Sequence, residues 1–450
     1  MRTIDFIVGM FCCKQAIIIE ILLGQSIEGR KPMLDREKVG RAIAEQRKVK
    51  GMTQKQLADL LNVSYQAVSR WEQGISLPSV DMIYDIAQTL ETTVDFLLNG
   101  LSERKVISYM DTGLDVKKLY IAKDRLSNLV TKNDMLFHTR YSDPIFCKMD
   151  TSGMEEPVYV FASHVPGSKE RFAMENGYDR EICIDLVSSS ANNLIRFGVR
   201  PAILLAHVVC GNNDSGQILT MGEAFKEACE SNGIVFAGLE VAAQAVNYHS
   251  GEYKISASII GVIDKKEIIT GNQVTEGDVL IGLHTEGISS LSYPFIKVIL
   301  DRRPDTMFAK IDGHHVFMDE LMKPNNCYVN IISELNKQNL IHGIFKIDKS
   351  LFHRKCYDTI PKGLGASISI STIPIPSLFQ YIYHLKMMDR TCFIENFSLG
   401  INMLLAVPKE QYDRAIKIIE NYHQCYVVGS IEKDDEYPDA KVWMEGTAKW

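Results

Sequence analysis

Tyr65, Gln66, Ser69 and Arg70 fall on one side of a short helical pattern whose other side carries Ala67, Val68 and Trp71. An amide, two hydroxyls and a guanidinium at that spacing can reach base edges in a major groove, so the chemistry on offer is sequence reading by hydrogen bonding. The elements that position these groups are legible on either side. Thr53 is an N-cap with Gln56 placed for a capping box, and Leu57, Leu60 and Leu61 then form one apolar stripe. Asn62 suits the left-handed residue of a sharp turn, Ser64 caps a second helix and joins the DNA-facing set, and Gly74 stands where a helix ends. Thr53 to Gly74 therefore reads as a helix-turn-helix. Val39, Ile43 and Ala44 before it, and Met82, Ile83, Ile86, Ala87, Leu90, Phe96 and Leu97 after it, supply the other helices of a small bundle.

The whole chain is larger than that bundle. Its 450 residues have room for two or three domains, and 46% hydrophobic with 23% charged residues is ordinary for a globular protein. A net charge of -7 does not advertise nucleic-acid binding. Within the bundle, however, Arg36, Arg41, Arg47, Lys48, Lys50, Lys55 and Arg70 lie early and Asp81, Asp85, Glu91 and Asp95 late, so one side is expected to face phosphates. The ten cysteines show no Cys-x-x-Cys or Cys/His spacing for zinc, which fits a reducing cytoplasm. The adjacent His314 and His315 would point apart, so no metal site is read there. Phe6 to Leu23 is apolar but interrupted by Lys14, Gln15 and Glu20, and no membrane span is expected. Residues 1–32 are either an N-terminal extension or upstream of a true start at Met33, since Glu28-Gly29-Arg30 can be encoded by a purine-rich run like a ribosome-binding site.

From Lys38 to Gly100 the motifs TQKQLA, VSRWEQG, LPS and DFLLNG resemble the lambda-repressor-type helix-turn-helix family. The resemblance implies that Gln54 contacts a phosphate and that Tyr65, Gln66 and Arg70 read bases, while Trp71 and Glu72 hold the fold. After a polar connector at Asn99 to Lys105 the character changes to alternating strands and helices. Val158–Ala162 reads as a buried strand, with further strands at 202–209, 255–263, 403–407 and 425–431 and one opening near 277–283. Helices are expected at 182–197, 222–231, 293–300, 321–336 and 411–422, with a seam at 268–277 between two α+β halves.

Five stretches of this region, SYMDTGLDV, ICIDLVSSSANNLIRFGVRP, YHSGEYKISASIIGVIDKKEII, VTEGDVLIGL and FSLGINMLLAVP, occur in the order of aminoimidazole ribonucleotide (AIR) synthetase, the phosphoribosylformylglycinamidine cyclo-ligase of purine synthesis. The region resembles that family. The expected architecture is thus a multidomain chain: an all-α helix-turn-helix bundle (33–100), then the two α+β halves of a PurM-like fold (101–270 and 271–450). The resemblance implies ATP-dependent activation of an amide oxygen, magnesium held by acids, glycine loops over phosphate, and a homodimer. This sequence departs from that pattern. His164 and Ala206 stand where the family has acids, and Asn193 is an amide in place of an aspartate. Of the family's Gly-Gly-Glu-Thr-Ala-Glu only Glu240 keeps its acid, the second becoming Ala243. The stretch 133–149, and that between Gly343 and Gly363, lack the family's glycines, and Asn402 lies where the family's Phe-Asn-Cys-Gly-Val-Gly-Met has a glycine.

Each change removes magnesium-binding charge or close backbone approach to phosphate, so no catalytic or metal residue and no cofactor is expected. Lys169, Asp185, Asn192, Asn193 and Glu240 remain as remnants of a ligand pocket or as groups that merely pair within the fold. The expected function is a cytoplasmic transcriptional regulator: a homodimer that binds double-stranded DNA through its heads, with a catalytically degenerate body that dimerises it or senses a purine-related nucleotide. The alternative is an ATP- and magnesium-using cyclo-ligase, or a related enzyme, with added DNA binding.

Overall fold

The computed structural model describes residues 35–99, 115–130, 134–137, 145–211, 215–434, 441–448 and 450. The expectations for residues 1–32, for most of the connector after Asn99 and for much of 133–149 lie outside them. The chain divides into two compact units between residues 108 and 109.

The shorter unit is a helical bundle: α1 (Arg36–Val49), α2 (Gln54–Leu60), α3 (Tyr65–Glu72), α4 (Val80–Thr89) and α5 (Val94–Asn99). Its caps follow from side-chain chemistry. Thr53 and Gln56 form the reciprocal capping box, and Ser64 Oγ accepts from the Ala67 amide. Asn62 takes φ 55° in the turn. Gly40 lets α1 approach α3 closely, since a Cβ there would lie 2.3 Å from the Trp71 carbonyl oxygen. The core joins Val39, Ala42 and Ile43 to Leu57, Val68, Trp71, Ile83, Ile86, Leu90 and Leu97. Leu60 departs from the expected stripe: it is 61% exposed, because α2 ends there and the buried row passes through Leu57, Ala58 and Leu61.

The longer unit holds two sheets with helices packed on them. After α6 (Val116–Ser127) and the short paired strands β1 (Leu136–Phe137) and β2 (Phe146–Cys147) come β3 (Pro157–His164), α7 (Lys169–Asn176), α8 (Asp179–Ile195), β4 (Pro201–Cys210), α9 (Ser215–Ser231), β5 (Val235–Ala243) and β6 (Tyr253–Asp264). The strands pair in the order β3-β6-β4-β5, with β4 and β5 parallel across the α9 crossover and the other pairings antiparallel. The second half contains β7 (Val279–His284), α10 (Tyr293–Arg302), α11 (Phe317–Met322), α12 (Val329–Lys337), β8 (Gly343–Lys346), β9 (Leu364–Ser369), α13 (Ser377–His384), α14 (Arg390–Asn396), β10 (Ile401–Val407), α15 (Tyr412–Glu420), β11 (Cys425–Lys433) and β12 (Val442–Glu445). Here the order is β12-β9-β11-β7-β10-β8, antiparallel except for the edge pair β12 and β9.

One apolar core runs through both halves, from Ala122 on α6 to Ile431 on β11. Two expectations change. Strand β3 is not buried on both faces, since alternate residues face out and Phe161 is 74% exposed. The helix expected at 321–336 is two helices, because Pro324 cannot continue α11; residues 323–328 form a loop between them. Among the described residues no helix is long and apolar enough to cross a membrane.

Candidate functional site

In the bundle, α3 presents Tyr65, Gln66 and Arg70 exposed, with Ser64 exposed at its N-cap, while Val68 and Trp71 anchor the opposite face. Ser69 is half-buried and accepts from Gln73 Nε2 at 3.2 Å. The helix is fixed from beneath by Glu72. Arg47 donates to Glu72 through Nε (2.6 Å) and Nη2 (2.9 Å), and its Nη1 reaches the Met52 carbonyl. Gln54 Nε2 also donates to Glu72, at 2.7 Å. Arg47 is thus a structural cation, not the phosphate-facing group expected from the charge distribution. Lys50 is paired with Glu91. Gln54 is held at the start of α2, half-buried, in the pose set by Glu72.

In the longer unit three of the remnant residues form one buried polar cluster. Lys169, at the start of α7, is 0% exposed; its Nζ donates to Asp185 Oδ1 on α8 (3.0 Å) and to the Lys323 carbonyl (2.8 Å). The same Asp185 oxygen accepts from the backbone N (2.7 Å) and Nδ2 (2.9 Å) of Asn325. Two turns further along α8, Asn192 donates to the Asn326 carbonyl (2.8 Å) and accepts from the Tyr328 amide (3.0 Å). Apart from the Lys169–Asp185 pair itself, these bonds all run from the first half to the 323–328 loop of the second. They are the stitching between the halves, and the loop that receives them exists because Pro324 interrupts the helix.

The other two remnants lie elsewhere. Glu240 on β5 has a side chain 59% exposed and pairs with Lys123 of α6 at 3.2 Å, apart from the cluster. Asn193 turns to a different partner: Lys346, at the end of β8, donates from Nζ to Asn193 Oδ1 at 2.7 Å and pairs with Asp348 at 3.0 Å. The Lys346 side chain is only 12% exposed. At His164, at the end of β3, the neutral form is favoured: burial pushes its pKa down, and the nearby Lys346 ammonium adds to the effect against the opposing pull of Asp185 and Asp348. Lys346 was not foreseen, and its signal was slight: a lysine in the glycine-free stretch after Gly343.

Two clefts flank this region. One of about 840 Å³ lies against α7, β4, β6 and α10, and its cations are matched by acids: Arg171 by Glu175, Lys254 by Glu170, Lys297 by Asp301. The other, about 350 Å³, is bounded by Arg196, Phe197, the 269–271 seam and the 344–359 stretch.

Residues 43–97 match the helix-turn-helix family model, and residues 275–438 match the C-terminal domain of AIR synthase related proteins. The phosphoribosylformylglycinamidine cyclo-ligase of Oceanobacillus iheyensis is 28% identical over 331 residues, covering 73% of this chain and 97% of that protein. The cyclo-ligase of Bifidobacterium longum is 30% identical over 287 residues, covering 63% of this chain and 83% of its own length. The chain belongs to the phosphoribosylformylglycinamidine cyclo-ligase family. Among solved structures, thiamine-monophosphate kinase from Stenotrophomonas maltophilia shares the fold at TM-score 0.51 and 13% identity, covering 72% of this chain and 96% of its own. The Escherichia coli hydrogenase maturation protein HypE does so at 0.50 and 13%, covering 73% and 94%.

As a cyclo-ligase family member the chain would be expected to hold magnesium, and its residues do not fit that ion. Magnesium takes oxygen ligands in a tight octahedral shell. The positions that the resemblance matches to the family's acids offer an imidazole at His164, an amide at Asn193 and a methyl at Ala206, and the Asn193 oxygen already receives an ammonium. Among the described residues no group of three or more His, Cys, Asp and Glu side chains could hold a metal.

Proposed function

We propose that this family member is a DNA-binding transcriptional regulator whose cyclo-ligase-like body no longer performs magnesium-assisted phosphoryl chemistry and serves to dimerise the chain and to sense a ligand. The observation that carries the reading is the Lys346 ammonium on Asn193, beside the half-buried imidazole of His164, where the family pattern places acids for a metal. A fixed positive charge there repels a divalent cation instead of binding it. The second support is the recognition helix: Tyr65, Gln66 and Arg70 are exposed together on a helix whose other face is anchored by Val68 and Trp71. A homodimer would carry two such heads, matched to half-sites ~34 Å apart or a multiple of that.

The alternative, an active ATP-dependent cyclo-ligase with a DNA-binding head, draws on the curated cyclo-ligase relatives, which this chain matches over most of their length. One experiment separates the two. The purified full chain is assayed for magnesium-dependent ATP hydrolysis with formylglycinamidine ribonucleotide, and in parallel is put through operator selection from random duplex DNA. The regulator reading expects no turnover and a selected operator, with Arg70→Ala weakening binding by ~1–3 kcal/mol and relaxing base preference. Turnover by the folded protein refutes it.

A further inference from the structure

The smaller cleft differs from the larger in its charge balance. Its wall carries Arg196, Lys346, Lys349 and Lys355 against two acids, Asp348 and Asp358, both exposed to solvent. The cations are also under-used within the protein. Arg196 has five N–H donors, yet its guanidinium lies 4.4 Å from the Phe197 ring centroid and makes no side-chain hydrogen bond among the described residues. Lys355 likewise has no acid partner among them. Lys349 has a single bond, to Asn396 Oδ1 at 3.3 Å, and Lys346 spends two of its three donors on Asn193 and Asp348. Phe197 and Ile344 supply apolar walls, which lower the local dielectric and strengthen any charge that enters. The cleft, about 350 Å³, is at the small end of the ~300–1,000 Å³ range of ligand pockets and suits a phosphorylated sugar better than a nucleoside triphosphate.

We propose that the cleft formed by Arg196, Lys346, Lys349 and Lys355 is a metal-independent binding site for the phosphate group of a small phosphorylated ligand. Side-chain cations do there what glycine loops and a bridging metal do in phosphate sites generally: the 344–362 stretch has no glycine to bring backbone N–H groups to an anion, but it brings Lys346, Lys349 and Lys355 to the cleft wall. Lys346 is held rigidly by Asn193, so its charge is in place before the ligand arrives. The proposal names the class of signal for the sensing body of the regulator and rests on that reading only for its biological use.

The test is calorimetric titration of the full chain with inorganic phosphate in EDTA at low salt. Saturable binding is expected, weakening as chloride is raised. The double variant Arg196→Gln/Lys355→Gln, which changes side chains that make no side-chain hydrogen bond or ion pair among the described residues, should bind about tenfold more weakly or worse. Lys346→Met should do the same, Asp348→Asn should bind more tightly, and Lys297→Gln in the larger cleft should be unaffected. Binding that appears only when magnesium is added, binding unchanged in the double variant, or no saturable binding at all overturns the site. Loss of the site with operator recognition intact leaves the regulator reading standing, whereas magnesium-dependent ATP turnover refutes that reading whatever the titration gives.

Discussion

Lys169→Met isolates what the buried cluster contributes. Lys169 is completely buried, its Nζ shared between Asp185 Oδ1 and the Lys323 carbonyl, and Asp185 in turn fixes Asn325 through two hydrogen bonds. Methionine conserves the stem but removes the ammonium, leaving a carboxylate in a nearly dry site with only its two bonds to Asn325. Breaking one partner of such a pair typically costs ~3–5 kcal/mol. With a urea slope of about 3 kcal/mol per M, the unfolding midpoint should fall by about 1–1.7 M. Trp443 and Trp450 report the longer unit and Trp71 the shorter, so the loss should appear in the transition of the longer unit alone. Removing both charges, in Lys169→Met/Asp185→Leu, should recover part of the loss, because no unpaired ion is left behind. A midpoint unchanged by Lys169→Met would refute the view that this pair stitches the halves, and would return Lys169 to the ligand-binding residues.

Two further outcomes are expected. Glu72→Ala strands the Arg47 guanidinium and frees Gln54, and should destabilise the bundle by about 3 kcal/mol, read as a lowered first thermal transition by circular dichroism; an unchanged transition would mean that α3 is not fixed from beneath. Burial pushes the pKa values of His164, His284 and His423 below the ordinary histidine value. Their neutral state is favoured by the fold, so their contribution is full above the unfolded value of ~6.5 and is lost as pH falls from there towards the folded values, because the unfolded chain takes up protons first. The urea midpoint of the longer unit should therefore drop between about pH 7.5 and 5.5. His315, raised by Asp312, acts in the opposite sense but is exposed and screened; a flat profile would contradict the burial of the other three.

The bundle was almost fully legible because its signals are local: caps, a left-handed Asn and a 3.6-residue period fix α2, α3 and the turn between them. Arg47 was misplaced because one sequence cannot distinguish a cation facing solvent from one that reaches across to Glu72. In the longer unit the major strands and helices followed from period, but β3 reads as buried because Val158–Ala162 is a continuous apolar run, which hides the fact that Tyr159 and Phe161 face out. The expected long helix failed at Pro324, a breaker present in plain sight but overridden by the apolar periodicity on either side. The polar site was only half legible. Resemblance identified Lys169, Asp185, Asn192, Asn193 and Glu240 as one set, and the fold divides them three ways by partners 130 or more positions away in some cases. No local pattern could supply Lys346.

The 323–328 loop has a consequence for how the chain is made. Asp185 meets Asn325 across 140 residues of sequence. At ~5–20 residues per second of synthesis, that separation is about 7–28 s during which α8 has emerged without the groups that complete its polar face. Through that interval the first half carries an unfinished, charged seam next to its apolar core, whereas the bundle ahead of it already has all of its partners. The cyclo-ligase-like body therefore cannot complete its polar seam until Asn325, Asn326 and Tyr328 have been made, long after the bundle is complete.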